Sequence, residues 1–301
     1  AFGVRSVIGY GGLVTRAENQ AMIHRLRITM KRLTRLNPSN YYGIALVDAQ
    51  PGTGNNLITP RHDPPLIVID HHPARKMSFK SPFHDIRPLY GATSTIVSEY
   101  IAAAGLTPTK QVANALLYGI KTDTHSLLRG ASKPDFCAFN FLSPYTNPRV
   151  IGWIENPCLP QTYFADYHRG LSNTKLYRDV AVSYLHEVSA EAIIPELADV
   201  LLRISGICWS LCIGRYGSSL VLSLRSSSRK LMAGTVLLKL VGKAGSAGGH
   251  KEMAGGQIRV ENASDAEADA IVAGLIKDFL GLIGRPGVNG KPLVAECEQP
   301  A

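Results

Sequence analysis

The stretch LIVIDHHPAR occupies residues 66–75. Leu66, Ile67, Val68 and Ile69 are apolar, three of them β-branched, and predict a buried strand. The run ends on Asp70, His71 and His72, and Pro73 stops it. Three groups that are costly to desolvate stand together at one strand end, so each needs a partner there.

The same plan occurs earlier in the chain. In GIALVDAQPGTGNN (43–56) a short apolar run meets Asp48 and then a Gly/Pro/Asn turn. Before it, VRSVIGY (4–10) predicts a strand, and RAENQAMIHRLRITMKRL (16–33) has helical spacing with a basic face. After it, YGATSTIVSEYIAAAG (90–105) predicts a helix entered through Thr93 or Ser94. TKQVANALLYGIKTDTHS (109–126) predicts another, ending near Lys121 with Asp123 just beyond. Strands alternating with helices imply an α/β fold with a parallel sheet and right-handed crossovers. Strands apolar on both faces imply a sheet covered on both sides.

Between Pro144 and Asp179 the pattern loosens; LSPYTNPRVIGWIENPCLP (142–160) carries several prolines and cannot be one continuous helix, which predicts broken helix and connector. A second regime follows, with a strand at 179–188, a helix at 190–205 and a hairpin turning at Tyr216-Gly217. RKLMAGTVLLKLVG predicts a helix, GSAGGHKEMAGG a glycine-dense loop, QIRVE a strand, and DAEADAIVAGLIKDFLGLIG a closing amphipathic helix. The expected domains are residues 1–145, a helical connector at 146–178, a smaller α/β domain at 179–285, and a loose tail at 286–301.

Composition narrows the class. The 301 residues need neither disulfide nor metal to build a core. Five scattered cysteines without a CxxC pair argue against a disulfide framework and a thiolate zinc site. No apolar run suits a membrane span, and the first residues lack a secretory layout, so a cytoplasmic location is expected. A net charge of +9 favours an anionic partner.

The acids carry the chemistry. Asp48 and Asp70 follow strands, whose carboxyl ends line the ligand crevice of an open α/β sheet. If Asp123 joins them, carboxylates and imidazoles share one cavity, and like charges that close require a cation. Mixed Asp and His donors suit Mn, Fe, Co or Zn better than Ca. A lone Asp at a strand end is more often a turn or cap residue; the joint order of the three motifs is what points to a metal.

At Asp48, Asp70-His71-His72, Asp123 and Gly248-Gly249-His250 the sequence resembles the DHH phosphoesterases. The likeness is greatest to RecJ-like members that degrade very short oligonucleotides or dephosphorylate 3′-phosphoadenosine 5′-phosphate. The resemblance implies a catalytic first domain, a second domain bearing a Gly-Gly-His loop, and an active-site cleft between them. It implies two Mn²⁺ ions, with Asp48 bridging them and His71 and Asp123 binding one. It places His72 at the scissile phosphate and Asp70 behind an imidazole. Gly248 and Gly249 would let backbone N–H groups approach an anion, with His250 adding a donor and Arg225 gripping a phosphate. The expected partner is a short single-stranded oligonucleotide or phosphorylated nucleotide, and a homodimer is compatible with the family.

The sequence departs from the resemblance in one respect. Active members carry a His- and Asp-bearing motif on an earlier strand, whereas no Asp precedes Asp48 here. Two explanations are open, a chain begun too late or a degenerate member that binds nucleotides without cutting them. Either way one metal site is incomplete and the chain as given is expected to be impaired. A manganese-type inorganic pyrophosphatase is a further alternative, which the Gly-Gly-His loop disfavours.

Overall fold

The computed structural model describes residues 3–12, 14–53, 56–58, 62–228, 230–249, 251–261 and 263–294. The chain divides into two compact units, Ala1–Pro157 and Cys158–Ala301.

The first unit contains β1 (Ile8–Tyr10), α1 (Ala17–Arg25), β2 (Met30–Arg32), β3 (Ala45–Val47), β4 (Ile67–Asp70) and β5 (Phe83–Ile86). Helices α2 (Thr93–Ala103), α3 (Lys110–Asp123), α4 (Lys133–Leu142) and α5 (Pro148–Glu155) follow. Strands β3, β4 and β5 form a parallel sheet with β4 at its centre, as the alternating pattern predicts. The helices supply most of the core. Ile96, Ile120, Leu142 and Ile154, one from each of α2 to α5, are fully buried. Sequence overstated the burial of the strands, because Val47, Ile67 and Phe83 remain exposed.

The basic helix also ends early. Arg27 adopts a left-handed backbone (φ 52°), which α-helix cannot continue. Met30–Arg32 then pairs in parallel with Ile8–Tyr10. Asp123, expected beyond its helix, is the last residue of α3.

The second unit contains α6 (Gln161–Ser172), β6 (Lys175–Tyr177), β7 (Val180–Glu187), α7 (Ile193–Leu201), β8 (Trp209–Tyr216) and β9 (Ser219–Ser226). It closes with α8 (Ala233–Val241), β10 (Gly245–Gly249), β11 (Met253–Arg259), α9 (Asp265–Leu282) and β12 (Lys291–Pro292). Its seven-stranded sheet runs β10-β11-β9-β8-β7-β6-β12, with only β7 and β8 parallel. Alternate strand residues enter opposite layers. Val182 and Leu211 pack in a layer with Val236 and Phe279, whereas Ala181 and Cys212 pack in a layer with Ile194 and Leu197.

Two expectations are corrected here. The glycine-dense segment is a hairpin rather than a loop, Gly245–Gly249 pairing antiparallel with Met253–Arg259. Small residues permit that close pairing, since a Cβ at Gly249 would stand 2.4 Å from the Met253 carbonyl oxygen. Residues 286–294 of the expected tail are tied down as well, and the rest of it, 295–301, lies outside the described residues. Arg285 Nε donates to Asp179 Oδ1 at 2.7 Å, and β12 pairs with β6.

Candidate metal centre

The site is built at the carboxyl ends of β3 and β4. Asp48 follows β3 directly and its N–H donates to the Ile69 carbonyl at 2.9 Å, which anchors it beside β4. Its backbone is left-handed (φ 58°), a conformation that costs a non-glycine residue on the order of 1 kcal/mol. Thr93, the first residue of α2, donates its hydroxyl to Asp48 Oδ1 at 2.8 Å. A strained carboxylate held by a hydroxyl is therefore aimed, not merely exposed.

Asp70 lies at the end of the central strand and is 1% exposed. Its Oδ1 accepts the backbone N–H groups of His71 and His72 at 2.7 and 3.1 Å, and its Oδ2 accepts Gln50 Nε2 at 2.8 Å. His72 Nδ1 stands 2.8 Å from the same Oδ1. Burial pushes the Asp70 carboxyl up, but the hydrogen bonds from His72 and Gln50 outweigh it and hold the group at about 2. The His72 imidazole is raised in turn, chiefly by its hydrogen bond to Asp70, against the opposing effect of burial. Asp70 thus remains ionised and stabilises a protonated His72.

His71 is oriented differently. Its Nδ1 lies 3.1 Å from the Tyr90 carbonyl oxygen, which can only accept. In the neutral imidazole that contact places the proton on Nδ1 and leaves the lone pair on Nε2. Nε2 points to Asp48 Oδ1 at 3.6 Å and to Asp123 Oδ2 at 3.9 Å. Asp123 is raised to about 6, by burial first and by the charge of Asp48 second. Just after it His125, Ser126 and Leu127 are all left-handed, a tight turn closed by Ser126 N–H on the Lys121 carbonyl at 2.7 Å.

Two carboxylates that repel and one imidazole lone pair are the donor set of a divalent cation. Asp48, Asp70, His71 and His72 each offer a ligand atom, and these atoms lie within 4.8 Å of one another. Asp70 is the least available of the four, because its oxygens already accept four hydrogen bonds.

Sequence reasoning singled out these four residues and Asp123, and the structure brings all five together. It missed Gln50, which is fully buried and feeds Asp70. Gln50 Oε1 accepts Arg75 N–H and the Ser78 hydroxyl, both at 2.8 Å, so one amide ties the loop after Asp48 to the loop after His72. A glutamine two residues past a strand-end acid, in VDAQ, was the only available signal.

The remaining candidates lie in the second unit. Arg225 is buried, and its guanidinium donates to the Asp199 carboxylate, to Ser223 Oγ at 2.8 Å and to the Leu224 carbonyl at 3.2 Å. A phosphate there would have to displace Asp199. Gly248 and Gly249 end β10, the edge strand of the sheet, and are exposed. His250 lies outside the described residues.

No family model matches the chain. It is 32% identical over 271 residues to an uncharacterised protein of Methanocaldococcus jannaschii, an alignment covering 89% of this chain and 55% of that protein. The chain thus spans about half the length of that relative. An exopolyphosphatase-related protein from Bacteroides fragilis superposes with a TM-score of 0.59 at 15% identity, over 92% of this chain and 94% of that one. The chain has the DHH fold. RecJ in complex with Mn²⁺ from Thermus thermophilus superposes with a TM-score of 0.47 at 12% identity, over 93% of this chain and 52% of that one. Among the described residues no helix is long and apolar enough to cross a membrane.

Proposed function

We propose that this chain is a metal-dependent phosphoesterase acting on short single-stranded oligonucleotides or 3′-phosphorylated nucleotides. The observation that carries the reading is His71 Nε2, turned by the Tyr90 carbonyl toward Asp48 and Asp123 at 3.6 and 3.9 Å. Asp48, His71 and Asp123 would hold a divalent ion, with Mn²⁺ the favoured candidate for a mixed oxygen and nitrogen set. Such an ion, when bound, activates water and neutralises phosphate oxygens.

The chain's own residues supply the rest. Thr93 fixes the Asp48 carboxylate, and the Tyr90 carbonyl fixes the His71 tautomer. Asp70 raises His72 beside Asp48 and so favours its protonated form, the form that would place positive charge near a phosphate. In the second unit, the exposed Gly248 and Gly249 backbone is the proposed grip on the nucleotide, together with His250. Arg225 would join that grip only by exchanging Asp199 for phosphate.

Mn²⁺ titration by calorimetry on the wild type, Asp48→Asn and His71→Ala, paired with hydrolysis of a dinucleotide and of 3′-phosphoadenosine 5′-phosphate, tests the reading. Mn²⁺ binding and turnover are expected in the wild type, and both are lost in the variants. Binding without turnover would favour a nucleotide-binding regulator. Phosphate released from pyrophosphate but from neither nucleotide would favour a pyrophosphatase.

A further inference from the structure

The first 42 residues hold seven Arg or Lys and a single acid, Glu18, and so carry most of the chain's net charge of +9. The charge is concentrated between His24 and Arg35. Arg25, Arg27, Lys31, Arg32 and Arg35 are all exposed, and no ion pair among the described residues involves any of them. Surface cations are ordinarily interspersed with acids. An acid-free run of this density attracts a polyanion.

Aromatic rings accompany the cations. Tyr42 is fully exposed and Tyr41 is 37% exposed. The Arg25 guanidinium lies 4.8 Å from the centroid of Trp153, a ring that is itself half exposed. Cations that follow a phosphate backbone, interleaved with rings that stack on bases, are the two components of a single-strand platform. A duplex hides its base faces and a lipid surface has none, so the rings favour a single strand over both. Asp48 lies six positions beyond Tyr42, which limits their Cα separation to roughly 20 Å.

We propose that residues 24–42, with Trp153, form a docking surface for single-stranded nucleic acid outside the metal centre. The docking itself stands without the phosphoesterase reading; only the fate of the strand rests on it.

Fluorescence anisotropy of a 5′-labelled 15-mer of oligo-uridine, measured in EDTA to silence turnover, tests the docking alone. Two variants at exposed positions are used, Arg27→Ala/Lys31→Ala/Arg32→Ala and Tyr42→Ala, each first matched to wild type by circular dichroism and thermal melting. The triple variant should bind at least tenfold more weakly. Its log–log salt slope should be shallower by about 2, at roughly 0.7 per lost phosphate contact on a single strand. Tyr42→Ala should weaken binding about fivefold or more through lost stacking. Affinity of the triple variant within twofold of wild type would overturn the proposal. So would equal affinity for a 15-base-pair duplex, or tighter binding to phosphatidylserine vesicles than to the 15-mer. With Mn²⁺ present, loss of hydrolysis while anisotropy is unchanged would count against the phosphoesterase reading and leave the docking surface standing.

Discussion

Asp135 accepts the backbone N–H of Gly91 at 2.8 Å across 44 positions of sequence. The same carboxylate, fully buried, accepts Ser132 N–H at 2.7 Å and the Thr95 and Ser132 hydroxyls. Gly91 follows Tyr90, whose carbonyl orients His71, and precedes Thr93, which holds Asp48. One buried acid, outside the donor cluster, therefore pins the loop that aims two candidate ligands.

Asp135→Asn should destabilise the chain and weaken metal binding together. Both backbone N–H groups converge on Oδ2, so an amide in either orientation leaves a buried donor without its acceptor or a charge-assisted bond reduced to a neutral one. Burial pushes this carboxyl up, but its hydrogen bonds outweigh burial and depress it. Its stabilising share is thus present above the unfolded carboxylate pKa and lost as pH falls through the lower folded value. At pH 7 the substitution is expected to cost about 2 kcal/mol, the scale of an unsatisfied buried donor. Urea melts at pH 7 and pH 3 measure this; a loss under half that size at pH 7, or one equal at both pH values, would contradict it.

Much of this site was legible because strand ends announce themselves. A run such as LIVI followed by Asp-His-His has few structural uses, and Asp48 repeats the plan. The supporting contacts were not legible. Asp135 reads as an ordinary capping-box acid three residues after Ser132, which it also is, and nothing local reveals that it reaches Gly91. Gln50 has no periodicity, because its partners come from a loop 20 to 28 positions away. The glycines at 245–249 read as a loop because glycine is rare in strands, whereas the missing side chains are what let β10 lie against β11. The basic helix ran too far because a helical spacing cannot register one left-handed residue, Arg27.

Asp123→Asn should raise the melting temperature of the metal-free protein and remove its response to Mn²⁺. The Asp123 carboxyl is raised to about 6, well above an unfolded aspartate. A raised carboxyl is stabilising in its protonated form, so its favourable contribution is complete below the unfolded pKa and disappears as pH rises through 6. At pH 7.5 the carboxylate is a net cost, which a neutral amide avoids. The side chain is 37% exposed, so the gain should be a few degrees at most. Thermal shift with and without Mn²⁺ separates the two effects; a variant that still gains stability from Mn²⁺ would exclude Asp123 as a ligand.

Gly248→Ala and Gly249→Ala should behave oppositely in stability. A Cβ at Gly248 meets nothing within 4 Å, whereas one at Gly249 would lie 2.5 Å from Ala254 Cα. Gly249→Ala is expected to cost about 1–3 kcal/mol through overpacking against backbone, and Gly248→Ala almost nothing. Nucleotide affinity then gives an independent reading of Gly248. Weaker nucleotide binding in a fully stable Gly248→Ala would assign the edge strand to substrate, and unchanged binding would remove Gly248 from the proposed grip.

Gln50→Glu should be the most pH-dependent of these substitutions. It is isosteric, but it replaces the amide nitrogen that faces Asp70 Oδ2 at 2.8 Å with a second carboxylate oxygen. Two buried carboxylates at that separation cannot both ionise cheaply, and Asp70, held at about 2, keeps its charge. The new glutamate must therefore hold a proton to donate as the amide does, which raises its folded pKa above its unfolded value. Stability should be close to wild type near pH 5 and fall as pH rises toward 8, by about 2–4 kcal/mol at the upper end. Where the new glutamate ionises, its negative charge beside Asp70 should also favour a protonated His72, moving the imidazole titration upward in NMR. Denaturation midpoints across pH 5 to 8 read the first effect; a flat profile would mean that Gln50 does not donate to Asp70 in solution.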